Sequence, residues 1–369
     1  MLNEQAIQEL ESQQYRMVGT HSAVKVCGWT KNLLKGLGGC YKLAFYGIKS
    51  HQCLQMTSSL SCANRCIFCW RGYKAPVSTE WKWAVDEPEE IIEGSIKAQG
   101  KLLEGFGGNP TADKKAYDES KQVRHVALSL TGEPIMYPRI NELLRGFDKR
   151  NISTFLVTNG QYPEAIENMG PVTQLYLSMD AVDEEMAKDI SKPLFQDHWQ
   201  RFKRSMKAVR ETPGRTAVRI TVIRYLNDNH HEGFSELLKE TRPDFIEVKG
   251  YMHVGESQHR LDRNNMPFHT EIQEFSNTLN GLLEDYDIVT EHEPSRVVLL
   301  ARKDFKKDDG WHTWIDFRKW FELINKGKNP ASQEYNAPLQ TEFEGIYQNT
   351  GTKISIIKEQ QKRKNPDRV

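Results

Sequence analysis

The chain has 369 residues, with 50 Lys and Arg against 50 Asp and Glu, and six cysteines. That length holds one large α/β domain or two small ones. The N-terminus is polar from Asn3 onward and no stretch approaches the roughly 20 apolar residues of a membrane span, so a soluble, cytoplasmic protein is expected. Six cysteines are too few to scaffold a chain this long with disulfides, which directs them toward metal or catalytic work in a reducing compartment.

The balanced charge is unevenly spread. Residues 12–79 contain no Asp or Glu but carry Arg16, Lys25, Lys31, Lys35, Lys42, Lys49, Arg65, Arg71 and Lys74, so this stretch is +9 and the remainder −9. A zone of that kind suits a polyanionic substrate such as a nucleic acid. It would equally compensate the charge of metal-bound thiolates.

In chain order, residues 3–16 read as a helix opening on Asn3, with Ala6 and Leu10 on one face. Cys27, Cys40 and Cys53 follow at equal intervals of thirteen. Gly38 and Gly39 precede Cys40, where backbone without a Cβ can approach a bulky inorganic group closely. This triplet reads as a cluster site, with buried free thiols or a zinc site as alternatives. The next triplet is Cys62-Ala-Asn-Arg-Cys66-Ile-Phe-Cys69. Three thiolates in a C-x3-C-x2-C loop can hold three irons of a [4Fe-4S] cube and leave the fourth open to a ligand. The alternative is zinc bound by three cysteines and a histidine such as His51, but zinc sites usually add a second C-x2-C pair, and this chain has none.

Trp70-Arg71-Gly72-Tyr73-Lys74 mixes aromatic and basic side chains, a composition that stacks bases and holds phosphates. Residues 86–106 read as a helix capped by Asp86, with Pro88 in its first turn, and 107–122 as a polar loop. A regular alternation then begins. Strand-like runs at 54–58, 125–130, 153–158, 174–179, 217–223 and 245–248 are separated by helical stretches at 139–149, 163–168, 196–211 and 230–241. About six β/α units imply a parallel sheet with outer helices, and chemistry at the strands' C-terminal ends. Those ends carry the cysteine loop, Thr131-Gly132-Glu133-Pro134, Thr158-Asn159-Gly160 and Ser178-Met179-Asp180. On the last two strands, Arg219 shares a face with Thr221, and Glu247 with Lys249, by the period of two. A polar loop over 252–268, a helix over 271–283 and a strand-like run at 296–301 follow. Residues 311–325 are aromatic with helical period, and a polar tail beyond Lys326 is expected to end in disorder.

The C-x3-C-x2-C loop resembles the signature of the radical S-adenosylmethionine (SAM) superfamily. Further stretches match one branch of it: Cys40-Tyr41-Lys42, Phe45-Tyr46-Gly47-Ile48, His51-Gln52-Cys53-Leu54-Gln55-Met56, Cys69-Trp70-Arg71, Leu130-Thr131-Gly132-Glu133-Pro134 with Tyr137-Pro138, Thr158-Asn159-Gly160, Leu177-Ser178-Met179-Asp180-Ala181 and Glu247-Val248-Lys249-Gly250-Tyr251-Met252. Over residues 20–305 the chain resembles the tRNA 4-demethylwyosine synthases, which the double cysteine triplet separates from most of the superfamily. Thr131 departs from the superfamily's Gly-Gly-Glu-Pro, and the tail after about residue 330 matches nothing in the family.

The resemblance implies an α/β fold, a partial (β/α)6 radical-SAM barrel over 54–305. Residues 1–53 form an extension carrying Cys27, Cys40 and Cys53, and residues 306–369 form C-terminal additions. It implies two [4Fe-4S] clusters, one on Cys62, Cys66 and Cys69 and one on Cys27, Cys40 and Cys53, and SAM held by Glu133, Asn159, Ser178, Asp180 and Arg219. The reaction would condense pyruvate with 1-methylguanosine of tRNA-Phe to give 4-demethylwyosine. Arg71, Tyr73, Lys74, Glu247 and Lys249 would bind substrates. Lys42 would form an imine with pyruvate through an amine kept neutral by neighbouring cations; the alternatives are that Lys42 only pairs with the carboxylate, or that Lys249 is the amine. The flavodoxin-like domain of the family's eukaryotic members has no counterpart in this sequence, so an external electron donor is expected, as is a monomer without membrane attachment. Two rival readings are a radical-SAM enzyme acting on a peptide and a non-catalytic RNA-binding metal protein.

Overall fold

The structure, a computed structural model, describes residues 4–72 and 75–350. Helix α1 (Glu4–Ser12) leads into a hairpin of β1 (Arg16–Val18) and β2 (Ser22–Val24). Two short helices, α2 (Gly28–Leu34) and α3 (Tyr41–Tyr46), precede β3 (Cys53–Thr57), α4 (Pro88–Leu103) and α5 (Lys114–Ser120). The alternation continues through β4 (His125–Leu128), α6 (Ile140–Asp148), β5 (Ser153–Thr158), α7 (Pro163–Glu167), β6 (Gln174–Ser178), α8 (Glu184–Ile190), α9 (His198–Glu211), β7 (Arg215–Val222), α10 (His231–Thr241) and β8 (Phe245–Gly250). Then come α11 (His269–Gly281), β9 (Tyr286–His292), β10 (Val297–Arg302) and α12 (Phe317–Asn325). The ten strands form one sheet in the order β1-β2-β3-β4-β5-β6-β7-β8-β10-β9. Strands β3 to β8 are parallel throughout, so the expected six-unit barrel is present. The hairpin β1-β2 extends one edge antiparallel and β10-β9 the other.

The two faces of the sheet bury different things. Leu54, Met56, Val126, Leu128, Leu156, Leu175, Val218 and Ile246 pack outward against the helices. Their neighbours in sequence, Ala127, Phe155, Tyr176, Ala217 and Phe245, face inward, as the two-residue period of a strand requires. There they meet Tyr41, Phe45 and Tyr46 of α3 and the C-terminal residues Phe305, Trp320 and Tyr335. Helix α3 therefore plugs the inside of the barrel, carrying Cys40 and Lys42 with it. Arg215, fully buried at the start of β7, ties this plug to the C-terminal segment by donating to the Thr313 carbonyl at 2.6 Å and to Gln174 at 3.2 Å.

Several local expectations are corrected. Asp86 does not cap α4: its carboxylate accepts from the Thr20 amide at 2.7 Å and sits 3.2 Å from His21, and the helix begins after Glu87. The loop over 107–122 contains α5, because the Asp113 carboxylate accepts from the Ala116 amide and starts a turn. Residues 311–315 are extended rather than helical; Trp314–Ile315 pairs with residues 336–337, and α12 starts only where Asp316 caps the Lys319 amide. Strand β9 was hidden by Glu291, a carboxyl buried near its end that is satisfied by Gln273 at 2.7 Å and His269 at 3.1 Å. The expected disordered basic end lies outside the described residues. No helix among the described residues is long and apolar enough to cross a membrane.

Candidate active site

The six parallel strands converge their C-terminal ends on a cavity of about 260 Å³. Its lining includes Cys62, Cys66 and Cys69 together with Glu133, Asn159, Ser178, Asp180 and Arg219, so all five residues proposed from sequence to hold SAM meet the cysteine loop there. The loop is held from two sides. Its backbone bonds the end of α8 and the turn beyond it, through Ile67 N to Ile190 O at 2.9 Å and Leu194 N to Ala63 O at 2.8 Å. On the other side Arg260 donates to the carbonyls of Ile67, Cys69 and Arg71. Sequence reasoning missed Arg260, which sits in an aperiodic polar loop that offers no pattern to read.

Glu133 follows a glycine that the geometry requires. Gly132 has φ +71°, and a Cβ there would lie 1.9 Å from the Ser59 carbonyl oxygen. The residue that departs from the superfamily pattern, Thr131, is not the one under this constraint. The Glu133 amide donates to Ser61 O at 2.7 Å, and the buried carboxylate accepts from the Asn159 amide at 3.1 Å through Oε2. Its other oxygen, Oε1, is buried without a partner. Burial raises the Glu133 pKa to about 7 and that of Asp180, whose Oδ1 accepts from the Thr221 amide at 3.0 Å, to about 6. Burial also pushes the Cys62 thiol up to about 11, while Asn159 Nδ2 lies 3.4 Å from its sulfur. An unpartnered carboxylate oxygen beside three thiols fits a ligand carrying an ammonium, and a thiol as reluctant to ionise as that of Cys62 needs a metal to become a thiolate.

A second, smaller cavity of about 30 Å³ is lined by Cys27, Cys40, Lys42 and Cys53, with Trp29, Thr30 and Ser50. The evenly spaced triplet is thus brought together. Among the described residues no three Cys, His, Asp or Glu converge as ligands of a single ion, whereas a cube takes its thiolates at separate corners. His51 does not join either triplet; its Nε2 is engaged by Glu119 at 2.8 Å. Of the two glycines before Cys40, Gly38 serves a different neighbour from the one expected: a Cβ there, at φ +99°, would lie 2.3 Å from the Asn349 carbonyl oxygen of the tail.

Lys42 does not have the expected lowered pKa. Burial, the largest influence, lowers it, but Cys53, Cys40 and Cys27 together outweigh burial and raise it. Lys249 is the lysine that burial lowers, to about 8; it donates to the Ser295 carbonyl at 2.8 Å and lines neither cavity. Glu247 is not a substrate contact, because both its oxygens are taken: Oε2 by Arg219 at 2.9 Å and Tyr41 at 3.1 Å, and Oε1 by Tyr46 at 2.9 Å. The Arg71 guanidinium donates to the carbonyls of Leu60, Asn64 and Pro76, so it fastens the loop instead of waiting for a phosphate. Tyr73 and Lys74 lie outside the described residues. Tyr41 was read only as part of a motif, yet it bridges the two sites: Arg219 donates to its hydroxyl at 2.8 Å.

A parallel six-unit barrel with an open-sided cysteine loop at its C-terminal mouth defines a SAM-dependent iron–sulfur protein. Comparison bears this out: residues 56–238 match the Radical SAM superfamily and residues 240–302 the family of wyosine base formation. The S-adenosyl-L-methionine-dependent tRNA 4-demethylwyosine synthase TYW1 of Xenopus laevis is 47% identical over 335 residues, which is 90% of this chain and 46% of that protein. A solved structure of TYW1 with a lysine-pyruvate adduct bound is 35% identical with a TM-score of 0.75, covering 82% of this chain and 97% of that one. A crystal structure of archaeal TYW1 is 30% identical with a TM-score of 0.70, covering 85% of this chain and 100% of that one. The chain belongs to the tRNA 4-demethylwyosine synthase family of the radical SAM superfamily, and SAM and an iron–sulfur cluster come with that membership. It spans about half the length of the curated relatives it matches.

Proposed function

We propose that this chain condenses pyruvate with 1-methylguanosine at position 37 of tRNA-Phe to form 4-demethylwyosine, using two [4Fe-4S] clusters. The observation that carries the reading is the pair of cysteine-lined cavities, one at the mouth of the barrel and one at its plug, the second containing a lysine. Cys62, Cys66 and Cys69 would hold the first cluster, and Cys27, Cys40 and Cys53 the second. The first cluster and SAM, when bound, supply a reducing electron and the 5′-deoxyadenosyl group that removes hydrogen from the substrate methyl.

The protein's own groups do the rest. Glu133 Oε1 accepts from the SAM ammonium, and Asn159 holds the carboxylate's other oxygen in place. Asp180, tied to the Thr221 amide, and Ser178 border the same pocket. Arg219, fixed by Glu247 and Tyr41, presents a stationary cation between the two cavities. Lys42 is the amine that meets pyruvate, since it shares a cavity with the second triplet; the lysine-pyruvate adduct named for a relative supports a lysine in this part. Held as an ammonium by the neighbouring thiols, Lys42 first gives up a proton to solvent; its nitrogen then adds to the ketone carbon, water leaves, and the resulting imine holds pyruvate for attack. The tRNA is drawn by the acid-free stretch of residues 12–79, and an external donor supplies electrons.

Anaerobic incubation of the cluster-loaded chain with SAM, pyruvate, a reductant and methylated tRNA, followed by mass spectrometry of digested nucleosides, tests the reading. The tricyclic base is expected. SAM cleavage without any pyruvate-dependent nucleoside would overturn it.

A further inference from the structure

A third cavity opens at the end of the barrel opposite the mouth. It lies at the start of β4 beside α12, measures about 530 Å³, and its lining includes Lys49, Arg124, His125, Phe317, Arg318 and Glu322. Three cations thus face one carboxylate, and Glu322 stands 4.0 Å from Arg318. Lys49 and Arg124 are exposed, and their side chains have no hydrogen-bond or ion-pair partner among the described residues. His125 is only 4% exposed; Ser153 Oγ lies 2.8 Å from its Nδ1, while its Nε2 has no partner among the described residues. Burial, and after it the charges of Lys42 and Lys49, lower the His125 pKa to about 3, so the ring is neutral in positive surroundings. This cavity and the one containing Lys42 share a wall one residue thick. Along one segment, Gly47, Lys49 and Gln52 line the outer cavity, and Ile48, Ser50 and Cys53 line the inner one. On β4, His125 lines the outer cavity and Ala127 the inner, successive side chains of one face about 7 Å apart.

We propose that this outer cavity is a collecting site for a small carboxylate anion of the 2-oxo acid class, which reaches Lys42 from the end of the barrel opposite SAM. The inference rests on the reading of Lys42 as the amine that meets pyruvate. The mouth cavity, about 260 Å³, has to hold both SAM and a nucleoside. The network of Arg219, Glu247 and Tyr41 occupies the interior between that cavity and Lys42. An acid arriving through the mouth would have to precede both other ligands. The outer cavity adjoins the Lys42 cavity whatever fills the mouth. Its unpaired cations attract a carboxylate, and Phe317 and Phe321 offer apolar walls to a methyl group. No bond forms or breaks at this site; the anion is held and passed on.

The test uses the full chain with its clusters loaded anaerobically. The rate at which limiting labelled pyruvate is trapped on Lys42 by cyanoborohydride is followed by peptide mass spectrometry. Arg124→Glu combined with Arg318→Glu should slow trapping about tenfold at low salt, with the deficit shrinking as salt is raised. Arg124→Lys should keep the wild-type rate. Methyl pyruvate, which carries no charge, should label all variants equally. The wild type preloaded with SAM and methylated tRNA, without an electron donor, should still take label from pyruvate at its unloaded rate. Equal pyruvate rates in all variants overturn the inference, as does a block of labelling by SAM and tRNA, which would put entry at the mouth. An equal deficit with methyl pyruvate also overturns it, because the damage would then lie at Lys42 itself. Slower trapping accompanied by weaker tRNA binding overturns it in favour of an RNA phosphate in the cavity. If the wild type takes no label at Lys42 from either ketone, the reading of Lys42 has failed, and this inference with it.

Discussion

Replacing Glu133 by Gln keeps the side chain's shape and removes its charge. The carboxyl is 2% exposed, and burial moves its pKa from 4.5 to about 7. Because the folded value is raised, the folded chain holds this proton more tightly than the unfolded one. The stability it confers is complete below 4.5 and is lost as pH rises through about 7. The gap amounts to about 3 kcal/mol by about pH 8.5, of which about 1 kcal/mol has already gone at about pH 5.5. Glu133→Gln escapes this loss, so between those two pH values the variant should gain about 2 kcal/mol on the wild type in urea unfolding of the cluster-free, reduced chain. The same change should weaken SAM binding to the cluster-loaded chain about 10- to 100-fold, since a charged hydrogen bond contributes about 1.5–3 kcal/mol. The wild type's SAM affinity should rise with pH up to about 7, as the carboxylate forms. Parallel unfolding curves at the two pH values, together with undiminished SAM affinity in the variant, would refute the reasoning.

Anaerobic reconstitution should load about eight irons, and replacing either cysteine triplet by Ala should halve that figure; loss of Cys62, Cys66 and Cys69 should also abolish SAM cleavage, and a native content of about four irons sinks the second cluster. Borohydride with labelled pyruvate should label the peptide containing Lys42, and a Lys42→Arg variant that labels equally, or label confined to Lys249, would show that the imine forms elsewhere. Arg215→Ala should cost about 2–4 kcal/mol, because it leaves Gln174 and the Thr313 carbonyl buried without their donor; a loss under about 1 kcal/mol in urea unfolding would show that the plug is held by other contacts.

The parallel core was legible because its strands are short apolar runs broken by helices, and each ends in a polar turn where the ligand-facing residues stand. Spacing alone marked the C-x3-C-x2-C loop, which leaves few other uses for three thiols, whereas the evenly spaced triplet needed the family resemblance to be read as a cluster site. What stayed hidden was what tertiary packing decides. No periodicity says that Glu247 faces two tyrosines and an arginine rather than a substrate, since exposure and burial read alike on a strand with period two. Asp86 and Arg71 were misread for a related reason: a carboxylate before a helix and an arginine after a cysteine loop have local uses, but here Thr20, His21 and the carbonyls of residues 60, 64 and 76 claimed them. Strand β9 escaped because a buried Glu breaks the apolar signal that reveals a strand.

The placement of the triplets at the two ends of β3 explains why polar groups stand inside an otherwise apolar barrel. Cys53 opens the strand, about 13 Å long over four steps, and the cysteine loop leaves its other end. Anything held at one cavity must act on something held at the other across the interior between them. That interior is occupied by Arg219, Glu247 and Tyr41, and a buried ion pair of this kind is costly unless every lone pair is used. Here every one of its contacts is satisfied, by hydrogen bonds of 2.8–3.1 Å. Tyr41 lies between Cys40 and Lys42 in sequence, while Arg219 lines the mouth cavity. A shift of the plug helix would therefore be felt by the cation facing the other site. The network thus joins the plug helix to the mouth cavity through hydrogen bonds alone.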